Sequence, residues 1–267
     1  MTSSRQRNAG PHGRKWARPG GPGGPRGPAP EAGTEFVWGW HAVVAALANP
    51  ARETPRLVLA TPERAREIAA RFGPIAALEV SDNAAIARYL PQGAVHQGVL
   101  LKTAPLESLS IEEIGTPVSG LLVMLDQVTD PQNVGAVLRS AAAFGARGVI
   151  VQDRHAPLLS GALAKAAAGA VDAIAHARVV NLSRALEVLS DLGWRTVGLD
   201  ADAGLTLDQA FDGSPTVLVL GSEGEGLRRL VAEHCDVLAK IPMPGGFESL
   251  NVSAAAAVAL YEASRPR

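Results

Sequence analysis

The sequence predicts an α/β protein: a doubly wound parallel sheet in its C-terminal half, preceded by a smaller α/β domain. Three features predict it. From Leu121 onward, short apolar runs alternate with longer segments of helical periodicity. The apolar runs are continuous rather than alternating, as in Val217-Leu-Val-Leu220, which suits parallel strands covered on both faces. A stretch holding Pro105, Gly115 and Pro117 separates this half from a similar, shorter alternation upstream.

In chain order, residues 1–34 come first, with eight glycines, six prolines and almost no aliphatic side chains. Such a stretch cannot bury enough surface to offset its chain entropy, and it reads as a disordered arm. From 35 to 103 the pattern gives a helix at His41–Asn49 ended by Pro50, then a strand at Arg56–Ala60. A helix at Glu63–Phe72, a strand at Leu78–Ser81, a helix at Asp82–Leu90 and a strand at Gly98–Lys102 complete the small domain. Residues 104–120 read as a linker, and 121–267 as the larger domain.

There the expected order begins with strand Leu121–Val128 and helix Asn133–Phe144, whose start is signalled by Asp130-Pro131 and whose end by Gly145. Strand Gly148–Gln152, helix Gly161–Ala170, strand Ala177–Val180, helix Ser183–Leu192 and strand Arg195–Leu199 follow. Strand Thr216–Leu220, helix Leu227–His234, strand Val237–Pro242 and helix Leu250–Ser264 close the list.

Composition narrows the class. One cysteine, Cys235, excludes an internal disulfide framework and a cysteine-rich metal site, so no metal is expected. No apolar run reaches the ~18 residues that a membrane span needs, and the N-terminus lacks the apolar core of a secretory signal. A cytoplasmic location is the expectation. The net charge of -1 conceals an uneven distribution. Six basic residues and one acidic residue lie in the first 34, leaving a body with 19 basic and 25 acidic residues. Global charge therefore neither argues for nucleic acid nor forbids it; positive charge has to be concentrated locally, in the arm or in a cleft.

Three segments carry chemistry. In the first, Asp126 to Ala141, a strand runs through a polar turn into a helix bearing Asn133 and Arg139. Arg139 projects from a surface of small residues and offers a fixed positive charge; alternatively it snorkels at the surface, and Asn133 only caps the helix. In the second, Leu220 leads into Gly221-Ser-Glu-Gly-Glu-Gly226 at the carboxyl edge of the sheet, where open α/β folds bind ligands. Its carboxylates, Glu223 and Glu225, and the lack of a P-loop lysine argue against a triphosphate and for an adenosine-bearing ligand with little phosphate charge. In the third, Ile241-Pro-Met243 enters a Pro/Gly-rich loop, then Ser249-Leu-Asn-Val-Ser253 opens a helix. Ser249 is placed to cap that helix. Asn251 and Ser253, inside the first turn, are harder to explain by capping and suit a carboxylate held at a helix N-terminus.

Together these segments resemble the three motifs of the SpoU (TrmH-like) family of RNA ribose 2′-O-methyltransferases. The matching residues are Asn133, Gly135 and Arg139, then Gly221, Glu223 and Gly224, then Ser249 through Ser253. Upstream, Trp38-Gly-Trp-His-Ala-Val-Val-Ala-Ala-Leu and Val95-His-Gln-Gly-Val resemble the bookends of the small RNA-binding domain, similar to ribosomal protein L30e, that many members carry. The likeness covers about 35–265. It implies a SPOUT-type Rossmann-like sheet with a deep trefoil knot, which periodicity alone would not suggest, and a homodimer joined through the knot. It implies S-adenosylmethionine as methyl donor, held by Leu220, Gly221, Glu223, Gly224, Ile241, Met243, Leu250, Asn251 and Ser253. The loop after Arg195–Leu199 is expected to form another wall.

The catalytic cluster implied is Asn133, Arg139, Glu223, Ser249 and Asn251, with Arg139 reaching toward the partner's cofactor. The implied substrate is RNA, with a guanosine ribose of 23S ribosomal RNA as first expectation and transfer RNA as the alternative. A non-enzymatic RNA-binding or ribosome-associated protein would have no need of Asn133, Arg139 and Asn251. A dinucleotide-dependent oxidoreductase would need its glycine fingerprint after the first strand of a βαβ unit, not after a late one.

Overall fold

The computed structural model describes residues 31–154, 161–246 and 249–266. Apart from residues 31–34, the expected disordered arm lies outside the described residues. Two sheets form the scaffold. The first uses β1 Glu35–Trp38, β2 Leu57–Ala60, β3 Leu78–Val80 and β4 Val99–Thr103 in the order β1-β4-β2-β3. Strand β4 runs antiparallel to both β1 and β2, while β2 and β3 are parallel. Helices α1 Trp40–Ala48, α2 Pro62–Phe72 and α3 Asn83–Ala87 connect them. The sequence reading missed β1: four residues offer too few periods to be told from the lead into α1.

The second sheet has seven parallel strands: β5 Leu121–Leu125, β6 Gly148–Gln152, β7 Ala175–Val179, β8 Arg195–Leu199, β9 Leu205–Thr206, β10 Thr216–Leu220 and β11 Val237–Lys240. Their order is β7-β6-β5-β10-β8-β11-β9. The continuous apolar runs follow from the two-residue strand period with both faces covered. On β5 and β10, Val123, Leu125, Leu218 and Leu220 point to one core, and Leu122, Met124, Val217 and Val219 to the other. The second core is closed by α4 Ile111–Ile114, α8 Leu182–Leu192 and α10 Arg229–Glu233. The first is closed by α5 Pro131–Ala143, α6 Gly161–Ala166, α7 Ala170–Ala173, α9 Leu207–Ala210 and α11 Val252–Ala263. It continues without a break into Val37, Val43, Val58 and Leu101 of the small sheet and α1. No described helix is long and apolar enough to cross a membrane.

Several expected boundaries move, each for a local reason. The segment 104–120, read as a linker, is itself structured: Leu109 bridges to Ala177 on β7, and Ser110 and Glu113 form a capping box that starts α4. The helix expected over Gly161–Ala170 is broken, with Ala168 and Gly169 at positive φ. There α1 comes so close that a Cβ on Gly169 would lie 2.8 Å from both Ala45 Cβ and the His41 carbonyl oxygen. Strand β5 stops at Leu125 rather than Val128, because fully buried Asp126 turns to accept Arg228 N at 2.9 Å and Arg228 Nε at 2.7 Å. That bond fixes Arg228 as the N-cap of α10, which begins two residues later than Leu227.

Strand β7 carries a buried histidine, His176. Burial lowers its pKa below the usual 6.5; the charges of Arg178 and Arg52 add to this and Asp172 opposes it. The fold thus stores a neutral ring that the unfolded chain can protonate. Its stabilising contribution is present above the unfolded value and is lost as pH falls through and below about 6.5. His176→Phe is therefore expected to flatten the loss of urea resistance between about pH 7.5 and 5.5; an unchanged slope would remove His176 as a cause.

Candidate active site

The site forms at the carboxyl ends of β10, β8 and β11, where three loops meet. Strand β10 is wholly buried and delivers the chain at Gly221 into a turn closed by reciprocal bonds, Ser222 N to Gly226 O at 3.1 Å and Gly226 N to Ser222 O at 3.0 Å. A Cβ on Gly221 would lie 2.1 Å from the Gly226 carbonyl carbon. Only glycine lets the two arms of this loop touch.

The second contribution is the start of α11. Asn251, not Ser249, is its N-cap, with Asn251 Oδ1 accepting from Ser253 N at 2.9 Å and Ser253 Oγ at 2.5 Å. The expected assignment is corrected because Ser249 and Leu250 are not helical and the first helical residue is Val252. The third contribution is α5. Its N-cap is Asp130, accepting from Gln132 N at 3.1 Å, so Asn133 is free of capping and lies in the first turn.

Glu223 ties these pieces together. Its Oε1 accepts from Asn133 Nδ2 at 2.9 Å, from Asn251 Nδ2 at 2.5 Å and from Val252 N at 3.4 Å. Asn251 Nδ2 also reaches Asn133 Oδ1 at 3.1 Å. Two helix N-termini therefore converge on one carboxylate, an arrangement favoured by the partial positive charge at each.

Beside this triangle lies a cavity of about 340 Å3. Of the residues singled out from the sequence, Leu220, Gly221, Glu223 and Gly224 line it from one side, and Ile241, Met243, Ser249 and Leu250 from the other. Asn133, Asn251 and Ser253 are not on its walls; Asn133 and Asn251 hold Glu223, and Ser253 holds Asn251. Arg139 is not on its walls either. It is exposed on α5 and has no hydrogen bond or ion pair among the described residues.

The expected wall after β8 is present as Leu199, Asp200 and Ala201. Val252 and Ala255 of α11 were not anticipated; their signal is the small-residue start of that helix. Nor was the pin of Asp126 on Arg228, for which a lone acid at a strand end gave no warning. The described walls hold two acids, Asp200 and Glu223, and no lysine, arginine or histidine. Cys235 is no nucleophile: burial pushes its thiol up to about 12, and its Sγ donates to Val231 O at 3.3 Å. Among the described residues no cluster of His, Cys, Asp or Glu could hold a metal ion.

Residues 120–261 match the SpoU rRNA Methylase family. The 23S rRNA (guanosine-2′-O-)-methyltransferase RlmB of Pseudomonas aeruginosa is 40% identical over 243 residues, 87% of this chain and 97% of its own. A protein of Mycolicibacterium vanbaalenii named as an uncharacterized tRNA/rRNA methyltransferase is 44% identical over 178 residues, 65% of this chain; the match spans only 57% of that relative's length. Among solved structures, the SpoU methyltransferase AviRb of Streptomyces viridochromogenes in complex with AdoMet superposes with a TM-score of 0.74 at 26% identity, covering 87% of this chain and 90% of that one. An AdoMet-bound rRNA methyltransferase from Sinorhizobium meliloti gives 0.73 at 26% identity, covering 87% of each chain. With its three loops gathered at the carboxyl edge of a parallel sheet and more than half of its length matched, this chain belongs to the SpoU rRNA methylase family.

Proposed function

We propose that this protein transfers a methyl group from S-adenosylmethionine to a ribose 2′-hydroxyl of RNA, with a guanosine of 23S ribosomal RNA as the target. The observation that carries this is the joining of Asn133, Glu223 and Asn251 at the edge of a cavity whose described walls lack cations. The cavity fits the donor in its chemistry. Apolar walls from Leu199, Leu220, Ile241 and Met243 suit a purine and ribose, and acids without cations suit a ligand of net positive charge. Backbone groups around Gly221, Ile241 and Leu250 would hold the adenosine. When bound, the donor supplies a sulfonium-linked methyl group that is already strongly electrophilic.

The chain's own residues then have to align a sugar oxygen and assist loss of its proton. A guanidinium is a poor proton acceptor, so Arg139 is read as a clamp on a substrate phosphate or the developing alkoxide. Glu223 is the better proton acceptor. Its Oε1 takes all three of the bonds described, which fixes the carboxylate and leaves Oε2 for a substrate hydroxyl. Ser249 lines the same cavity and is placed to hydrogen-bond the sugar.

The protein works in the cytoplasm as a homodimer, in which Arg139, unpaired in one protomer, reaches the partner's cofactor. The loops around β10 and β11 form the trefoil knot, and the small domain over 35–103 together with the basic arm supplies RNA affinity. Incubation with labelled S-adenosylmethionine and, in parallel, 23S and transfer RNA, followed by mapping of 2′-O-methylated riboses, tests the reading. Label at a guanosine of 23S RNA is expected. Label in transfer RNA alone would replace the substrate, and label in neither would overturn the activity.

A further inference from the structure

The small sheet and the seven-stranded sheet meet at a buried cluster of charges that the site itself does not use. Arg52, in the turn after α1, has a side chain only 2% exposed. Its Nε donates to Asp172 Oδ1 at 2.5 Å and its Nη2 to Asp172 Oδ2 at 3.3 Å, gripping the carboxylate of α7 with two bonds. Its Nη1 donates to Glu35 Oε1 on β1 at 2.8 Å and to Ala104 O at 3.0 Å, where the chain crosses between the sheets. Asn49 Nδ2 adds a bond to Asp172 Oδ1 at 3.1 Å. The Asp172 side chain is fully buried and that of Glu35 is 9% exposed.

One planar guanidinium thus joins three separate stretches of chain: the small sheet, the crossing segment and helix α7, which packs on the large sheet. Taking three ionised groups out of water is costly, and an apolar cluster of the same volume often gives equal or greater stability. What an apolar cluster lacks is direction. The arginine fork accepts partners only in its plane and at fixed angles, so it sets one orientation of the two sheets. That orientation reaches the site through packed helices. Asp172 lies on α7; α6 and α7 pack on α5, where Gly135 sits directly against Ala166 of α6. Gly135 is two residues from Asn133, which holds Glu223.

We propose that Arg52 is a positioning residue: with Asp172 and Glu35 it locks the small sheet in one orientation, so that RNA held there is presented in register with the Asn133–Glu223–Asn251 triangle. This rests on the RNA-methylating activity proposed above. The test uses the full chain with Arg52→Met, Asp172→Asn and Arg52→Lys. For the first two, KM for RNA is expected to rise about tenfold while kcat stays within about twofold. Affinity for S-adenosylmethionine is unchanged, and amide exchange quickens in β1 and α7 but not in β5 or β10. Asp172→Asn keeps the shape of the side chain, so it reports even where Arg52→Met fails to fold.

Arg52→Lys restores a charge but cannot bridge three acceptors in one plane; it is expected to recover thermal stability without recovering KM. An unchanged RNA KM in Asp172→Asn, or a KM that returns together with stability in Arg52→Lys, overturns the proposal. Should the wild-type protein methylate no RNA, the activity is what has failed. In that case quickened exchange confined to β1 and α7 still supports the lock, and its absence overturns it.

Discussion

Gly221→Ala is expected to abolish uptake of S-adenosylmethionine and to weaken the fold. The added methyl would stand 2.1 Å from the carbonyl carbon of Gly226, 2.2 Å from its oxygen and 2.4 Å from Leu227 N. These are backbone atoms, which cannot swing aside as a flexible side chain can. The turn has to open, breaking the paired bonds between Ser222 and Gly226, and with them the wall carrying Glu223 and Gly224. Overpacking of this kind costs on the order of 1–3 kcal/mol. The loss in binding is larger in proportion, because the wall is displaced rather than thinned. Calorimetric titration with the donor should show no heat of binding, and urea unfolding should show a lowered midpoint. Donor binding as in the wild type would sink the assignment of this cavity.

Arg139→Ala is expected to do the opposite: to stop turnover and leave the donor bound. Arg139 is not on the walls of the cavity, lies exposed on α5 and forms no bond with the described residues, so its removal disturbs nothing that shapes the pocket. Loss of a positioned charge that stabilises developing negative charge lowers kcat by about 10²–10³-fold. Donor affinity is expected to stay within about twofold. Lysine would not substitute, since a single ammonium cannot reproduce a planar fork on a phosphate. Single-turnover transfer beside equilibrium binding separates the two effects, and a parallel fall in donor affinity would move Arg139 into the pocket.

Much of this fold was legible from the chain. Strands β5, β6 and β10 announce themselves as unbroken apolar runs because both faces of the large sheet are covered. Glycines and prolines marked many element ends, and the loop after β8 was expected as a wall from the family resemblance. What escaped depends on contacts made at long range. The break at Ala168 and Gly169 is imposed by α1, more than a hundred residues earlier. Ser249 looked like a cap and Asn251 did not, because Ser, Asn and Ser within five residues all suit a helix start and local sequence does not choose among them. For the same reason Asn133, Glu223 and Asn251 could be picked out singly, but their mutual bonds could not.

Those bonds have a temporal consequence. Asn133 and Glu223 are 90 residues apart, and Asn133 and Asn251 are 118 apart, so the triangle closes only after β10, β11 and the start of α11 are all in place. Contacts of such separation form late, once the loops they close have been brought together. During synthesis from the N-terminus the small sheet and β5 to β7 can assemble before the last vertex exists. A chain without α11 would lack one of the helices that close the first core, and Glu223 would keep only the Asn133 bond of the three described. The site is therefore complete only once the start of α11 has been made.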